Sequence, residues 1–252
     1  MSVVALVSAG HSPGVTTTAL GLALAWPGPV LLVDADPHPT QSVLAGFLGG
    51  EDPLGKGLWQ VLSAHREHRQ LAPAIDDATL PLGASVGRDQ RFLPGFAHPG
   101  MAELFAPVWQ DFVAALAETP GDVLVDLGRL APRGLPAAVA GEAVVLLVTG
   151  SSLVGLAALR LHLPLVTAAV PAERLRIVVV GPGRPYGARE IASQFGVDAV
   201  DTVRWAPADA AVLSEGATRR RSFAGHLDGL RRLAAAVGES NDARRRLIGV
   251  PA

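Results

Sequence analysis

The residues best suited to chemistry lie in a loop near the N-terminus. The loop Ser8–Thr17 follows a short apolar run, contains Gly10 and Gly14, and leads into an alanine- and leucine-rich stretch that begins with three threonines. At a strand–loop–helix junction of this kind, backbone N–H groups and the N-terminus of the helix bind anions. The pattern therefore predicts a phosphate-binding loop.

The loop departs from the complete phosphate-loop motif G-x-x-x-x-G-K-[ST]. Ala9 stands at the first glycine, Gly14 at the second, Val15 at the lysine, and Thr16 at the hydroxyl residue that ligates Mg²⁺. The lysine that contacts the β- and γ-phosphates is therefore missing. Lys56 is the only lysine in the chain, and its place between two glycines predicts a solvated side chain rather than a substitute.

Short strands alternating with helices must position this loop. Continuous apolar runs indicate strands that are covered on both faces, as in a parallel sheet between helices. The predicted strands are Val3–Val7, Val30–Val33, Arg91–Leu93, Val123–Val125, Ala143–Val148 and Ile177–Val180. We therefore expect a single-domain, doubly wound α/β fold with a mostly parallel β-sheet flanked by helices.

Alanine- and leucine-rich stretches between these runs are the predicted helices. They are Thr16–Ala25, Thr40–Leu48, Leu58–His68, Met101–Glu118, Leu153–Leu163, Ala188–Gln194, Ala208–Leu213 and Phe223–Val237. Residues 49–99 carry the most turn-forming residues, and we expect them to form a variable connection within one domain of residues 1–238. Residues 239–252 are expected to form a flexible C-terminal tail.

Length and composition also favour one soluble domain. Of 252 residues, 49% are hydrophobic and 17% are charged, and the apolar runs are far shorter than the roughly 20 residues that span a bilayer. The absence of cysteine excludes disulfides, thiolate metal sites and cysteine nucleophiles. The apolar N-terminal run lacks the features of a secretory signal, so we expect a cytoplasmic protein.

Several motifs in consistent order resemble those of ParA/MinD-type P-loop ATPases. They are Gly14-Val15-Thr16-Thr17, Leu31–Pro37, Asp122–Gly128, Val145–Leu153, and Trp205–Asp209 followed by Ala211, Leu213 and Gly216. The resemblance covers roughly residues 1–48 and 120–237. It implies the P-loop fold of that family.

The resemblance also implies a role for each matching residue. Asp36 would orient the attacking water, with Asp34 beside it, while Thr16 and Asp126 would hold Mg²⁺ together with the nucleotide. Residues 181–207 would line the base. The implied nucleotide-binding residues are Gly10, His11, Ser12, Pro13, Gly14, Val15, Thr16, Thr17, Pro207 and Asp209.

Two departures from the family pattern separate fold from activity. The family loop reads K-G-G-x-G-K-[ST], whereas Gly10 stands at the signature lysine and Val15 at the phosphate lysine. Those lysines stabilise charge that develops on the γ-phosphate, and losing one preorganised donor typically lowers the rate by about 10²–10³. We therefore expect a pseudo-ATPase with weak or no hydrolysis, in which Asp36 is vestigial.

Two interpretations of the pocket remain open. Backbone amides, Thr16 and the aspartates favour binding of ATP and Mg²⁺. A loop stiffened by Pro13 and lacking lysine favours a scaffold with no cofactor. Aspartates at strand ends are also common surface residues, so they do not decide between the two.

The resemblance implies a positioning or assembly factor that forms homodimers. A degenerate loop and the strand ending Leu93-Pro94-Gly95 are similar to the TadZ/CpaE-like branch, whose members serve pilus or secretion-system localisation. One alternative is an active partitioning-type ATPase that binds nonspecific DNA. The other is a structural interaction module with an empty pocket.

Arginines gather in the C-terminal part of the chain, at Arg219–Arg221, Arg231–Arg232 and Arg244–Arg246. Such clusters favour contact with nonspecific DNA or an anionic membrane, which would make the protein peripheral at the nucleoid or the membrane. A solvated helix and tail is the competing interpretation. The net charge of −2 restricts any such contact to a local patch.

Overall fold

The computed structural model describes residues 2–10, 12–50, 53–83 and 89–247, with side chains described as far as residue 239. Its strands are β1 (Val3–Ser8), β2 (Val30–Asp34), β3 (Leu80–Pro81), β4 (Gln90–Leu93), β5 (Asp122–Arg129), β6 (Val144–Gly150), β7 (Leu175–Val180) and β8 (Asp201–Val203). They form one sheet in the order β3-β4-β2-β5-β1-β6-β7-β8. All neighbouring strands are parallel except β3, which runs antiparallel to β4.

The helices connect these strands across both faces of the sheet. They are α1 (Val15–Ala25), α2 (Leu58–Arg66), α3 (Leu71–Asp77), α4 (Gly100–Leu104), α5 (Trp109–Leu116), α6 (Ala137–Glu142), α7 (Leu153–Ala169), α8 (Ala188–Phe195), α9 (Pro207–Ser214) and α10 (Ser222–Leu247). A wide π turn spans Ser42–Phe47, and short 3₁₀ turns span Ala106–Val108 and Ala172–Arg174.

Both faces of the central strands are buried, as their continuous hydrophobicity predicts. Val4 and Leu6 of β1 face a core shared with α1, α9 and α10. Ala5 and Val7 face the opposite core, which α2, α3, α5, α6 and α7 cover. The predicted doubly wound α/β fold is confirmed, and it forms three layers with the sheet in the middle.

Helix ends were predicted less well than strands. α7 was expected to end at Leu163 but continues through Pro164 to Ala169, because Pro164 lies on the exposed side where water can solvate the carbonyl group that proline leaves unbonded. α10 was expected to end at Val237, yet it continues to Leu247, so residues 239–247 are helical. Residues 248–252 lie outside the described residues.

Within residues 49–99, the predicted helix and strand are present as α2 and β4, and the structure adds α3 and the short strand β3, which were not predicted. β4 pairs with β2, and β3 forms the edge of the same sheet. The single helix predicted over Met101–Glu118 is divided into α4, a 3₁₀ turn and α5. Among the described residues, no helix combines the length and hydropathy that crossing a bilayer requires.

Strand order determines where a site can form. β2, β5 and β1 are adjacent, and the chain moves to one side of β1 through β2 and to the other side through β6. In doubly wound sheets, ligands bind beyond the carboxyl ends of strands at such a reversal. The β1–α1 loop and the ends of β2 and β5 therefore share one crevice.

A close backbone contact fastens the turn after β2 to the end of α9. Gly46 lies in the π turn directly against the carbonyl group of Ser214, and a Cβ atom at position 46 would overlap that carbonyl. Gly216 approaches the same turn from the other side, since a Cβ there would lie 2.5 Å from the Gly46 oxygen. Only glycine fits position 46 without moving backbone.

We expect Gly46→Ala to lower the free energy of unfolding by about 1–3 kcal/mol, the usual cost of overpacking. Gly141→Ala is the matched control because position 141 is exposed in α6 and a Cβ there has no neighbour within 4 Å. Urea denaturation of both variants checks this. Equal stabilities would show that the turn and α9 separate easily.

Candidate functional site

The loop between β1 and α1 has the backbone geometry of an anion site. Gly14 precedes the helix in the left-handed region, with φ of 92°, and its carbonyl accepts a hydrogen bond from Thr18 N at 2.8 Å. The N-cap residue, Gly14, has no side chain with which to cap the helix. The first N–H groups of a helix have no partner within the helix, so these donors are available to a ligand.

The two positions where the family carries lysine contain no cation. Val15 is 5% exposed, and its side chain packs into the core with α1 and α10. At Gly10 a Cβ atom would lie 3.6 Å from Ala158 of α7, an ordinary contact. Position 15 has thus become part of the core, and position 10 has no side chain.

The remaining loop residues are divided between the surface and the acidic site. Ser12 is exposed and has a left-handed backbone, with φ of 42°. Thr16 interacts through its side chain with Asp126. Pro13 and Thr17 are half-buried. His11 lies outside the described residues.

Two aspartates stand side by side at the ends of neighbouring strands. Asp34 of β2 is in register with Asp126 of β5. Asp34 Oδ1 accepts a hydrogen bond from Asp36 N at 3.3 Å, and Asp126 Oδ1 accepts one from Gly128 N at 2.9 Å. Asp126 is 1% exposed, and its Oδ2 has no hydrogen-bond partner in the described part of the chain.

Burial changes the acidity of this cluster. It raises the pKa of Asp34 to about 8, and repulsion from Asp126 adds to the effect. Burial also raises the pKa of Asp126 to about 6, although the Thr16 side chain and the Gly128 N–H oppose the rise. The pKa of Asp36 is raised by burial too, against the His38 N–H and the charges of His38 and Arg129. The cluster therefore lacks the positive charge that would keep all three carboxylates ionised.

Magnesium fits one side of this cluster. Mg²⁺ takes six oxygen ligands in octahedral geometry and keeps several waters. Thr16 and the unpartnered Asp126 Oδ2 would supply or orient two of these ligands, leaving the rest to phosphate and water. Thr16 and Asp126, which the resemblance assigns to Mg²⁺, are thus brought together.

Glycines allow the chain to close over the acids. A Cβ atom at Gly95 would lie 2.7 Å from Asp34 Cγ, and a Cβ at Gly128 would overlap the Asp36 carboxylate. Asp36 Oδ1 in turn accepts a hydrogen bond from His38 N at 2.8 Å. Asp36 is thereby held half-buried beside the end of β5.

The residues predicted near the base occupy different environments. Pro207 is exposed at the first position of α9. Asp209 is buried, pairs with Arg204 at 2.9 Å, and accepts a hydrogen bond from the Ser222 hydroxyl. Both of its oxygens therefore connect the β8–α9 loop to the start of α10. Arg184 lies 5.0 Å from the Trp205 ring and stacks over it at the same end of the sheet.

Arg129 lies at the candidate site although no sequence motif points to it. β1 and β5 pair Leu6 with Asp126 but Ser8 with Arg129, so β5 contains one extra residue after Asp126. The Arg129 Nη2 group donates a hydrogen bond to Ser12 Oγ at 3.4 Å. Gly128, with φ of 59°, is the only sequence signal for this β-bulge.

A cavity of about 800 Å³ extends from Arg129 along the side of α4 and α5. Most of its lining is apolar, and it includes Val7, Phe96, Trp109, Leu130 and Leu135. The acidic cluster thus lies between the phosphate-binding loop on one side and an open apolar cavity on the other.

Lys56 does not substitute for the missing lysines. Its Nζ group donates a hydrogen bond to the Thr79 carbonyl at 2.9 Å, next to β3. β3 is four strands from β1 in the sheet, a distance of about 19 Å at the usual strand spacing. The predicted solvated lysine is instead a half-buried contact at the edge of the sheet.

Solved structures of ParA/MinD-type proteins are similar to this one. A ParA family ATPase from Chlorobium tepidum has a TM-score of 0.74 and 16% sequence identity, covering 93% of this chain and 98% of that chain. Septum site-determining MinD from Pyrococcus horikoshii, complexed with Mg-ADP, has a TM-score of 0.68 and 18% identity. The match covers 94% of this chain and 95% of that chain. The MinC:MinD cell division protein complex from Aquifex aeolicus has a TM-score of 0.69 and 17% identity. The match covers 93% of this chain and 96% of that chain.

No family model matches the sequence, and no curated protein is similar to it. The structural similarity nevertheless extends over nearly the whole chain. The protein therefore has the ParA/MinD-type P-loop fold, as the sequence motifs predict.

The raised pKa of Asp34 predicts a pH-dependent stability. Between the ordinary value of 3.8 and about 8, the folded chain keeps a proton that the unfolded chain has lost, so the free energy of unfolding falls as pH rises. Above about pH 7, where Asp126 with its pKa of about 6 is mostly ionised, this fall belongs mainly to Asp34. Asp34→Asn should therefore stabilise the ligand-free protein at about pH 8 by on the order of 2 kcal/mol.

Urea denaturation across this pH range measures the effect. Asp77→Asn, an exposed change in α3, is the control and should keep the wild-type pH dependence. If the free energy of unfolding of Asp34→Asn fell between about pH 6 and pH 8 as much as that of the wild type, Asp34 would not be the source of the pH dependence.

Proposed function

We propose that this protein is a ParA/MinD-like positioning or assembly factor that binds a Mg-nucleotide and hydrolyses it weakly or not at all. The observation that carries the proposal is that Thr16, in the first turn of α1, interacts with Asp126, whose Oδ2 has no hydrogen-bond partner among the described residues. The first N–H groups of α1, which have no partner within the helix, belong to the same turn. A Mg-nucleotide satisfies both, since its phosphates accept hydrogen bonds and its metal takes carboxylate oxygen.

Similar structures support a nucleotide as the ligand. The MinD from Pyrococcus horikoshii is a complex with Mg-ADP. In this chain the corresponding loop, Thr16 and Asp126 retain the groups that bind phosphate and metal, whereas the acids are left without a balancing charge. Binding of Mg²⁺ would supply that charge and lower the pKa of the cluster.

Weak hydrolysis follows from the lysine positions. Phosphoryl transfer depends on donors that stabilise charge on the transferred group, and neither Gly10 nor buried Val15 supplies one. Asp36 remains beside the site, but its carboxylate is held by the His38 N–H and by packing against Gly128. The groups proposed to bind the Mg-nucleotide are therefore different from the lysines that hydrolysis requires.

A protein partner is the expected output of such a factor. The MinC:MinD complex from Aquifex aeolicus illustrates partner binding on this fold. For this chain we propose a homodimer that acts in the localisation of a pilus or secretion system, on the strength of the TadZ/CpaE-like loop and strand ending. Leu93 ends β4, and Gly95 then packs against Asp34, which ties that strand ending to the site.

The arginine clusters suggest where the protein attaches. Arg219–Arg221 precede α10 and are exposed, and Arg231 and Arg232 are exposed on it. Arg244–Arg246 lie within the helical part of the chain whose side chains are not described. Nonspecific DNA or an anionic membrane is the proposed surface, in keeping with a cytoplasmic, peripheral location.

We expect Mg-ATP and Mg-ADP to raise the melting temperature, with phosphate release close to background. A ligand at 100 times its Kd stabilises the native state by about 2.7 kcal/mol. Thr16→Ala should reduce the shift because it removes a magnesium-site hydroxyl, whereas Thr167→Ala, an exposed change in α7, should keep it. Thermal unfolding with and without millimolar nucleotide, together with a phosphate-release assay, measures both parts.

Each alternative predicts a different result. No melting shift at millimolar Mg-ATP would favour the structural module with an empty pocket. Rapid hydrolysis that Asp36→Ala or Asp126→Ala abolishes would instead show an active partitioning-type ATPase and overturn the pseudo-ATPase.

A further inference from the structure

The phosphate-binding loop lacks a cation of its own. Val15 is packed into the core, Gly10 has no side chain, and Lys56 is hydrogen-bonded at the far edge of the sheet. The carboxylates of Asp34, Asp36 and Asp126 lie next to the loop. A nucleotide would bring several more negative charges to this place, so backbone donors alone would have to outweigh strong repulsion.

The β-bulge in β5 brings a different cation to the loop. In a regular strand, residues 126 and 129 point to opposite faces because side chains alternate. Here Leu6 pairs with Asp126 and Ser8 with Arg129, so the extra residue turns Arg129 towards the same face as Asp126. The Leu130 N–H bonds to the Ser8 carbonyl at 2.8 Å and fixes this register.

The Arg129 guanidinium lies close to the loop and keeps donors that the contacts described below do not use. It donates a hydrogen bond to Ser12 Oγ at 3.4 Å, a long distance for a bond of this type. Its charge lowers the pKa of Asp36, yet it forms no ion pair within 4 Å in the part of the chain that the structure describes. The side chain is also exposed, so its remaining donors can turn towards a ligand.

We propose that Arg129 binds the phosphates of the nucleotide and replaces the missing loop lysines in that role. The proposal rests on the proposed function, since it concerns the same pocket. The uncapped amides of α1 and the orphaned Asp126 Oδ2 mark the ligand position from two sides, and Arg129 adjoins both the loop and the acids. A guanidinium presents paired N–H donors that match phosphate oxygens.

Calorimetric titration with Mg-ADP tests the role of Arg129. Arg129→Ala should weaken binding by about 10- to 100-fold, the usual effect of losing a hydrogen bond to a charged group. Arg129→Lys should recover part of the affinity because it restores the charge without the fork. Arg133→Ala is the matched control, since Arg133 is an exposed arginine on the same cavity, and should bind as the wild type does.

Two further probes separate phosphate binding from a merely structural role. Inorganic pyrophosphate with Mg²⁺ should show the same loss in Arg129→Ala, whereas adenosine, which has no phosphate, should bind both proteins equally. An equal loss for adenosine would mean that Arg129 only shapes the pocket, and it would overturn the proposal.

The outcomes also distinguish this proposal from the proposed function. Wild-type affinity for Mg-ADP in Arg129→Ala would overturn the role of Arg129 and leave nucleotide binding intact. Failure of the wild-type protein itself to bind Mg-ADP or Mg-ATP would overturn the proposed function and this inference with it.

Discussion

Two buried aspartates, side by side on β2 and β5, determine the organisation of the carboxyl edge of the sheet. Burial raises the pKa of Asp34 and of Asp126, and repulsion adds to the rise, from Asp126 on Asp34 and from Asp36 on Asp126. Folding alone therefore leaves their charge uncompensated. Gly95 leaves room for Asp34, and the backbone N–H groups of Asp36 and Gly128 donate hydrogen bonds to Asp34 and Asp126 respectively. Within the described ranges Asp126 Oδ2 still has no hydrogen-bond partner, and a desolvated carboxylate oxygen is costly. The aspartate pair is therefore arranged to accept a cation or a hydrogen-bond donor from a ligand.

Position 15 illustrates that the side chains and the backbone of the loop contribute separately. Val15 occupies the first turn of α1 and is buried with that helix, so its side chain belongs to the core rather than to the pocket. The first N–H groups of the same helix have no partner within it, whatever side chain stands at position 15. An apolar side chain here offers no charge to stabilise a transition state, whereas the backbone geometry of an anion site does not depend on it.

Most of the sheet was predictable because central strands buried on both faces have continuous apolar sequences, as in β1 and β6. The hydrophobic pattern is a weaker guide where tertiary contacts, rather than local sequence, determine whether a segment forms a strand. β8 is three residues long and begins with Asp201, which pairs with Arg176 of the neighbouring strand at 2.7 Å, so neither pattern nor length identifies it. Motifs identified Thr16, Asp34, Asp36 and Asp126 as candidate site residues, and their roles stay predictions. No motif identified Arg129, since a bulge changes the face on which a side chain lies without changing composition.

Carboxylates and cations differ in how strictly their positions depend on the backbone. Aspartate has a short side chain, so Asp34 and Asp126 meet only if β2 and β5 keep their register, which the buried residues before them enforce. Arginine has a long, flexible side chain and reaches one phosphate position from several places in the backbone. Position 129 lies at the exposed end of β5, beyond the packed core, where an added residue disturbs little. A cation is therefore more easily relocated there than an acid is replaced.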